Sequence, residues 1–282
     1  MCKYDGGMTP GRRLVRFRGP DGEPHAVPVE ELPVEPVDDE TLELPPPYTL
    51  LAPVDPPEVW GAGVTYLRSR DARVEESDAQ ALYTLVYEAE RPELFLKDAG
   101  GRRTVGPGEP VGVRSDSPWN VPEPEVALVL GAGGALKGVT IGNDVSSRSI
   151  EGANPLYLPQ AKIFAGACAL GPAVLETDDW SLELAIEMRI VSADGDELFT
   201  GETSTASMRR SFDELVSWLV RENPVPPGSV LLTGTGLVPP SDFTLEPGHV
   251  VEIRVPGIGL LRNPVVSATR LVSEHARSEA HV

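Results

Sequence analysis

The sequence predicts a mainly β (α+β) protein. Three observations point there: the apolar runs are short and strand-like, glycine and proline turns separate them, and helical periodicity is confined to two segments. Strands and helices do not alternate regularly, which argues against a doubly wound parallel sheet.

Taken in order, residues 20–57 are crowded with proline, from Pro20 and Pro24 through Pro45, Pro46 and Pro47 to Pro56 and Pro57. Proline excludes a long helix here and leaves brief strands in LVRFR and HAVPVEEL. We read residues 1–57 as a small N-terminal β domain with an extended connector, and residues 58–282 as a second, larger domain. Ser77 and Gln80 form a capping box ahead of Ala81, Leu82, Leu85 and Val86, which predicts a helix between Glu76 and Arg91. A second capping box, Ser211 with Glu214, introduces Leu215, Val216, Trp218 and Leu219, and that helix ends before Pro224. Strands are expected in VALVL (126–130), LAIEMRIV (184–191), SVLLTG (229–234) and VVEIRV (250–255).

Composition removes several function classes. The chain has 282 residues and a formal charge of -19, from 43 Asp plus Glu against 24 Lys plus Arg. Such a surface repels nucleic acid and anionic membranes, and an anionic substrate needs a bound cation or a local basic cluster to draw it in. Cys2 and Cys168 are too few for a disulfide framework, and no Cys/His spacing suggests zinc. The N-terminal MCKYDGGMTPGRRLVRF has no apolar h-region and no run approaches membrane-spanning length, so a cytoplasmic location is expected. His25, His249, His275 and His281 lie away from the acidic segment described next, which argues against histidine-based catalysis.

Chemistry concentrates between Trp119 and Lys162. Glu123 and Glu125 stand two apart at the start of an apolar strand, so their side chains share a face. Alone this is weak, because Glu88-Ala89-Glu90 has the same spacing and reads as a solvated helix face. Asp144, in the tight GND sequence, strengthens it, since a strand–turn–strand connection can return it beside the two glutamates. Three carboxylates suit a hard divalent cation: magnesium first, with manganese or calcium as alternatives. The intervening GAGGALKG has Leu136 where a dinucleotide fingerprint needs its third glycine, and β-branched VTI follows, so it reads as a hairpin connection. Lys162 and Lys97, two of only four lysines, are candidates to meet an anionic substrate, with a surface role as the alternative for Lys97. Thr233, Gly234 and Thr235 end a strand where backbone groups can approach a ligand closely. Arg148 and Gln160 complete the substrate-binding candidates, Arg148 with structural pairing as the commoner role.

Together LFLKDAG, VGPGEPV, PEPEVALVLG, GVTIGNDVSSRS, KIFAGACALGPAV, VLLTGTG and LEPGHVVEIRVPGIGLLRNPV resemble the fumarylacetoacetate hydrolase family, in order, from about residue 92 to the end. The resemblance implies a mixed β-roll, a divalent cation held at Glu123, Glu125 and Asp144, Lys162 beside the substrate and Thr235 lining the same pocket. It also implies a homodimer or higher homo-oligomer. Hydrolytic members carry a histidine and a glutamate after a G-x-N-Y motif; here the segment reads GVTYLRSRDARVEES, with Thr65, Ser69 and Ala72 at the three positions. GVTY, NDVSSR, IEGANPLYLPQAK and LLTGTGLVPPSDFTL are similar instead to a sugar-acid branch. That likeness implies metal-dependent loss of water from a 2-keto-3-deoxy sugar acid, 2-dehydro-3-deoxy-D-arabinonate to 2,5-dioxopentanoate, through a metal-stabilised enolate. Lys162 or Glu151 would remove the C3 proton. The alternatives are an acylpyruvate-type hydrolase or oxaloacetate decarboxylase, with Glu75 or Glu76 as base, and a catalytically silent metabolite-binding protein.

Overall fold

The computed structural model describes residues 11–76 and 80–279, of which 72–76, 80–83, 278 and 279 are described by their backbone alone. Its centre is a hairpin. Strand Pro124–Leu130 pairs antiparallel with Leu136–Asp144 across the GAGGALKG turn, as the glycine pattern predicts. The run VALVL is apolar at every position because both faces are covered. Val126, Leu128 and Leu130 enter the main core, while Ala127 and Val129 pack with Leu170, Val174 and Val230 on the other side.

The hairpin lies inside a ten-stranded sheet. Across it run Pro24–Pro28, Arg13–Arg18, Cys168–Glu176, Leu136–Asp144, Pro124–Leu130, Val230–Leu232, Glu58–Gly63 and Glu93–Ala99. Thr49–Leu51 and Thr104–Val105 attach off this path. The N-terminal strands therefore continue the same sheet: Arg13 pairs with Leu175 and Leu14 with Val174, over a satellite core of Val15, Phe17, Leu42 and Leu50. A second sheet orders Glu197–Ser204, Ala185–Val191, Val250–Val255, Gly259–Ser267 and Val111–Val113. Its Ile186, Met188, Ile190 and Ile253 meet the inner face of the first sheet in one core.

The large sheet is rolled rather than open. Strand Glu93–Ala99 is four places from Leu136–Asp144, which in a flat sheet would separate them by about 19 Å. Yet Lys97 forms an ion pair with Asp144 and donates to the Val145 carbonyl at 2.9 Å. Curling brings the sheet's edge back onto its centre.

Helices are few, as expected. Helix Phe212–Leu219 starts at Ser211, whose hydroxyl accepts the Glu214 N–H, and buries Phe212, Leu215, Val216 and Leu219. The first predicted helix, between Glu76 and Arg91, is found as Gln80–Glu88, and a further helix that was not predicted, Leu67–Glu76, precedes it. Leu67–Glu76 gives no apolar stripe in the sequence because six of its ten residues are charged. The proposed Ser77 cap lies outside the described residues. Among the described residues no helix is long and apolar enough to cross a membrane. Replacing Ser211 with Ala should lower stability by about 1 kcal/mol, measured from denaturant midpoints; an unchanged midpoint would show that the cap contributes nothing.

Candidate metal centre

Hairpin register assembles the acidic cluster. Glu125 lies opposite Gly142 and Pro124 opposite Asn143, and one step further the Asp144 N–H donates to the Glu123 carbonyl at 3.0 Å. Residues opposed in an antiparallel pair share a face, so Asp144 joins Glu123 and Glu125 on one side. One carboxylate oxygen from each lies within 4.8 Å of the others, and all three residues are buried.

Cations surround two of the three. Short helix Leu158–Lys162 turns the Lys162 Nζ inward to Glu123 Oε2 (2.5 Å), Asp144 Oδ2 (2.9 Å) and Ser146 Oγ (2.6 Å). Lys97 holds the other Asp144 oxygen. Arg148 holds Glu123 Oε1 at 2.9 Å and lies 3.6 Å from Glu151 Oε2. Glu125 instead accepts the Gly234 backbone N–H at 2.6 Å and has no ion-pair partner among the described residues. Among the described residues, four buried carboxylates thus face three cationic side chains.

The imbalance falls on Glu125. Burial, then repulsion from Asp144 and Glu123, lifts its carboxyl well above the ordinary 4.5. Burial pushes Asp144 up as well, but Lys162 and Lys97 outweigh it and the net shift is downward. Glu125 thus holds a proton more readily than an ordinary carboxyl does. An all-oxygen, buried donor set with excess negative charge fits a hard divalent cation such as magnesium.

The cluster opens into a small cleft whose walls include Glu151, Gly234 and Thr235 as well as Lys162. The Thr235 hydroxyl donates to the Leu237 carbonyl at 3.1 Å. Lys97 and Arg148 stand behind the carboxylates, fully and almost fully buried, rather than at the cleft wall. Thr233 is buried too, its hydroxyl donating to the Val126 carbonyl at 2.8 Å. Gln160 is not brought to the cleft. Two residues along a helix rotate by about 200°, so with Lys162 inward Gln160 is exposed, and its carbonyl accepts from Arg114 at 3.1 Å.

Four contributors escaped sequence reasoning. Ser146 donates to Glu123 Oε2 at 3.0 Å and so ties it to Lys162. Thr65, noted only as a departure from G-x-N-Y, donates to the Thr233 carbonyl at 2.7 Å and fixes the loop that supports Glu125. Gly234 is required there: its φ is +90°, and a Cβ would lie 2.0 Å from the Thr65 hydroxyl. Glu93 and Phe95 line the cleft from the edge strand. Period-two alternation from Asp144 reaches Ser146, and from Lys97 it reaches Phe95 and Glu93, so a signal existed for three of the four.

Residues 59–266 match the family described as fumarylacetoacetate (FAA) hydrolase C-terminal. The chain belongs to the fumarylacetoacetate hydrolase family. Within it, the chain is 50% identical over 216 residues to a probable 2-keto-3-deoxyxylonate dehydratase of Haloferax volcanii, covering 76% of this chain and 74% of that one. It is 45% identical over 221 residues to the 2-dehydro-3-deoxy-D-arabinonate dehydratase of Saccharolobus solfataricus, covering 76% and 73%. A solved 2-keto-3-deoxy-D-arabinonate dehydratase, complexed with magnesium and 2,5-dioxopentanoate, superposes with a TM-score of 0.77 at 36% identity, over 90% of this chain and 99% of that one.

Glu125 makes the metal-free protein sensitive to pH. Its folded-state value is raised, so its contribution to stability is full below pH 4.5 and lost as pH climbs through the raised value. Metal-free Glu125→Gln should therefore melt higher than metal-free wild type at neutral pH, with the two converging at acid pH. Magnesium should raise the melting temperature of wild type more than that of the variant. Parallel melting curves across pH would show that Glu125 does not carry the excess charge.

Proposed function

We propose that this chain is a magnesium-dependent hydro-lyase that removes water from a 2-keto-3-deoxy pentonate to give 2,5-dioxopentanoate. The observation that carries it is the buried Glu123, Glu125 and Asp144 cluster with its excess negative charge, open to a cleft on one side. Relatives at 45–50% identity bear dehydratase names for such sugar acids, which supports the same reading. Loss of the C2 and C3 hydroxyl stereocentres means that the arabinonate- and xylonate-derived compounds differ at most at C4.

Magnesium, when bound by the three carboxylates, supplies positive charge that draws electrons from the 2-oxo group and makes the C3 proton acidic. The chain supplies the rest. Lys162 directs its three N–H groups at Glu123, Asp144 and Ser146, so it fixes the ligands and has no lone pair to offer as a base. Glu151, 4% exposed and lining the cleft, takes the C3 proton, with Arg148 beside it. The C4 hydroxyl departs as water, and tautomerisation of the remaining carbons produces the aldehyde. Gly234 and Thr235 form the facing wall.

The hydrolytic alternative is less well supported by the residues. Ser69, in the histidine position, commits its hydroxyl to the Tyr66 carbonyl at 2.8 Å and is no base. The side chains of Glu75 and Glu76 lie outside the described residues. A cytoplasmic homodimer or higher homo-oligomer is part of the proposal, resting on the family resemblance.

Incubation with magnesium and 2-keto-3-deoxy-D-arabinonate should release an aldehyde trapped as its hydrazone. Pyruvate plus a second acid from acylpyruvates would establish a hydrolase instead, and no product from any 2-oxo acid a binding protein. Glu125→Ala should abolish magnesium-dependent turnover while circular dichroism is unchanged. Glu151→Gln should lower kcat by about 10²- to 10⁴-fold with magnesium affinity retained; an undiminished kcat would place the base elsewhere.

A further inference from the structure

Glu151 and Arg148 sit on the helix Arg148–Ala153, which at six residues is far too short to be stable alone. Ser147, in the capping position, makes no side-chain cap bond. The Trp119 carbonyl takes its place, accepting the Arg148 N–H at 2.8 Å and the Ser149 N–H at 3.4 Å. The helix is therefore anchored through a separate segment of chain, not through its own sequence.

Two hydroxyls complete the anchor. The Ser117 hydroxyl donates to the Trp119 carbonyl at 3.0 Å and lies 2.7 Å from the Ser149 hydroxyl. With its one proton on the carbonyl, Ser117 accepts from Ser149. Ser149 is thus tied to the same carbonyl twice, by its own N–H and, through Ser117, by its side chain. Ser117 stands on a turn that is already fixed. Asn120 Nδ2 donates to the Ser117 and Arg114 carbonyls at 3.1 and 3.3 Å, and Asn120 Oδ1 accepts the Arg114 N–H at 3.2 Å. Both Ser117 and Asn120 are buried.

Helical geometry connects this anchor to the cleft. Arg148 and Glu151 are three residues apart and share a face. There Arg148 holds Glu123, and Glu151 lines the cleft. Ser149 is rotated from Arg148 by about 100° and reaches Ser117 instead. Neither serine lines the cleft. The helix is thus tethered on two sides, to a metal-ligand candidate by Arg148 and to the Ser117 turn by Ser149. The second tether opposes pivoting about the Arg148–Glu123 contact, a motion that displaces the Glu151 carboxylate.

We propose that Ser149 and Ser117 are positioning residues that hold Glu151 in place to remove the C3 proton, an inference resting on the reading of Glu151 as the base. The two serines stand outside the cleft and act through the orientation of one short helix.

The test reads proton removal apart from loss of water. With magnesium and pyruvate in deuterium oxide, Glu151 takes a methyl proton and the enolate regains a deuteron from solvent, so the methyl signal decays by NMR. Ser149→Ala and Ser117→Ala should each slow that exchange about 10- to 100-fold, the scale of a 1 Å displacement of a reacting group. Magnesium affinity, measured calorimetrically, should be unchanged. Ser149→Thr keeps a hydroxyl and should restore the rate. Added to Glu151→Gln, Ser149→Ala should cause no further loss, since both changes then act on one group. A full extra loss in that double variant, or undiminished exchange in both serine variants, would overturn the proposal. So would a wild type that exchanges no proton. Magnesium binding weakened in step with exchange would make the serines structural. Exchange by wild type without turnover of any sugar acid sinks the dehydration reading alone, and the serine variants still decide the role of the pair.

Discussion

Three carboxylates with oxygens within 4.8 Å of one another cannot all be charged in a buried cleft without compensation. At an effective dielectric of 20, each pair at that separation repels by about 3–4 kcal/mol, so three pairs approach the whole stability of a domain, about 5–15 kcal/mol. Much of the surrounding structure answers this one constraint. Lys162, Lys97 and Arg148 are buried where they are because Glu123 and Asp144 are. Glu125 is left to a backbone N–H, with its carboxyl lifted above the ordinary range by burial and its acidic neighbours, and a divalent cation answers that deficit.

The rolled sheet is the means by which this compensation is delivered. The carboxylates come from a central hairpin and the gap before it, yet Lys97 comes from the far edge of the same sheet. Bringing that edge inward also places Glu93 and Phe95 in the cleft. The same curvature thus neutralises the centre and builds the wall that a substrate meets. Thr65 and the Thr233–Thr235 loop complete the opposite side, with Gly234 serving as the point of closest approach. Because these supports belong to separate strands, the site depends on the sheet as a whole rather than on any local motif.

Much of this was legible one strand at a time. Apolar VALVL announced a strand, the glycines of GAGGALKG a hairpin, and Ser211 with Glu214 a helix start; each is a local pattern governed by neighbouring residues. Glu123 and Glu125 were readable for the same reason, since side chains two apart on a strand share a face. Gln160 shows the limit: it is a substrate-binding candidate by sequence, but helical rotation sends it outward.

By itself the sequence determined which residues alternate onto a common face, where the chain turns, and the oxygen-rich chemistry of the cluster. Tertiary structure alone decided which faces meet. Hairpin register set Asp144 against Glu123, sheet curvature carried Lys97 across four strand positions, and Gly61 and Gly63 let Phe95 and Glu93 fold into the cleft. The physical reason is range. Alternation and capping depend on a few adjacent dihedral angles, whereas curvature is the summed twist and packing of many strands, and no short segment contains that sum.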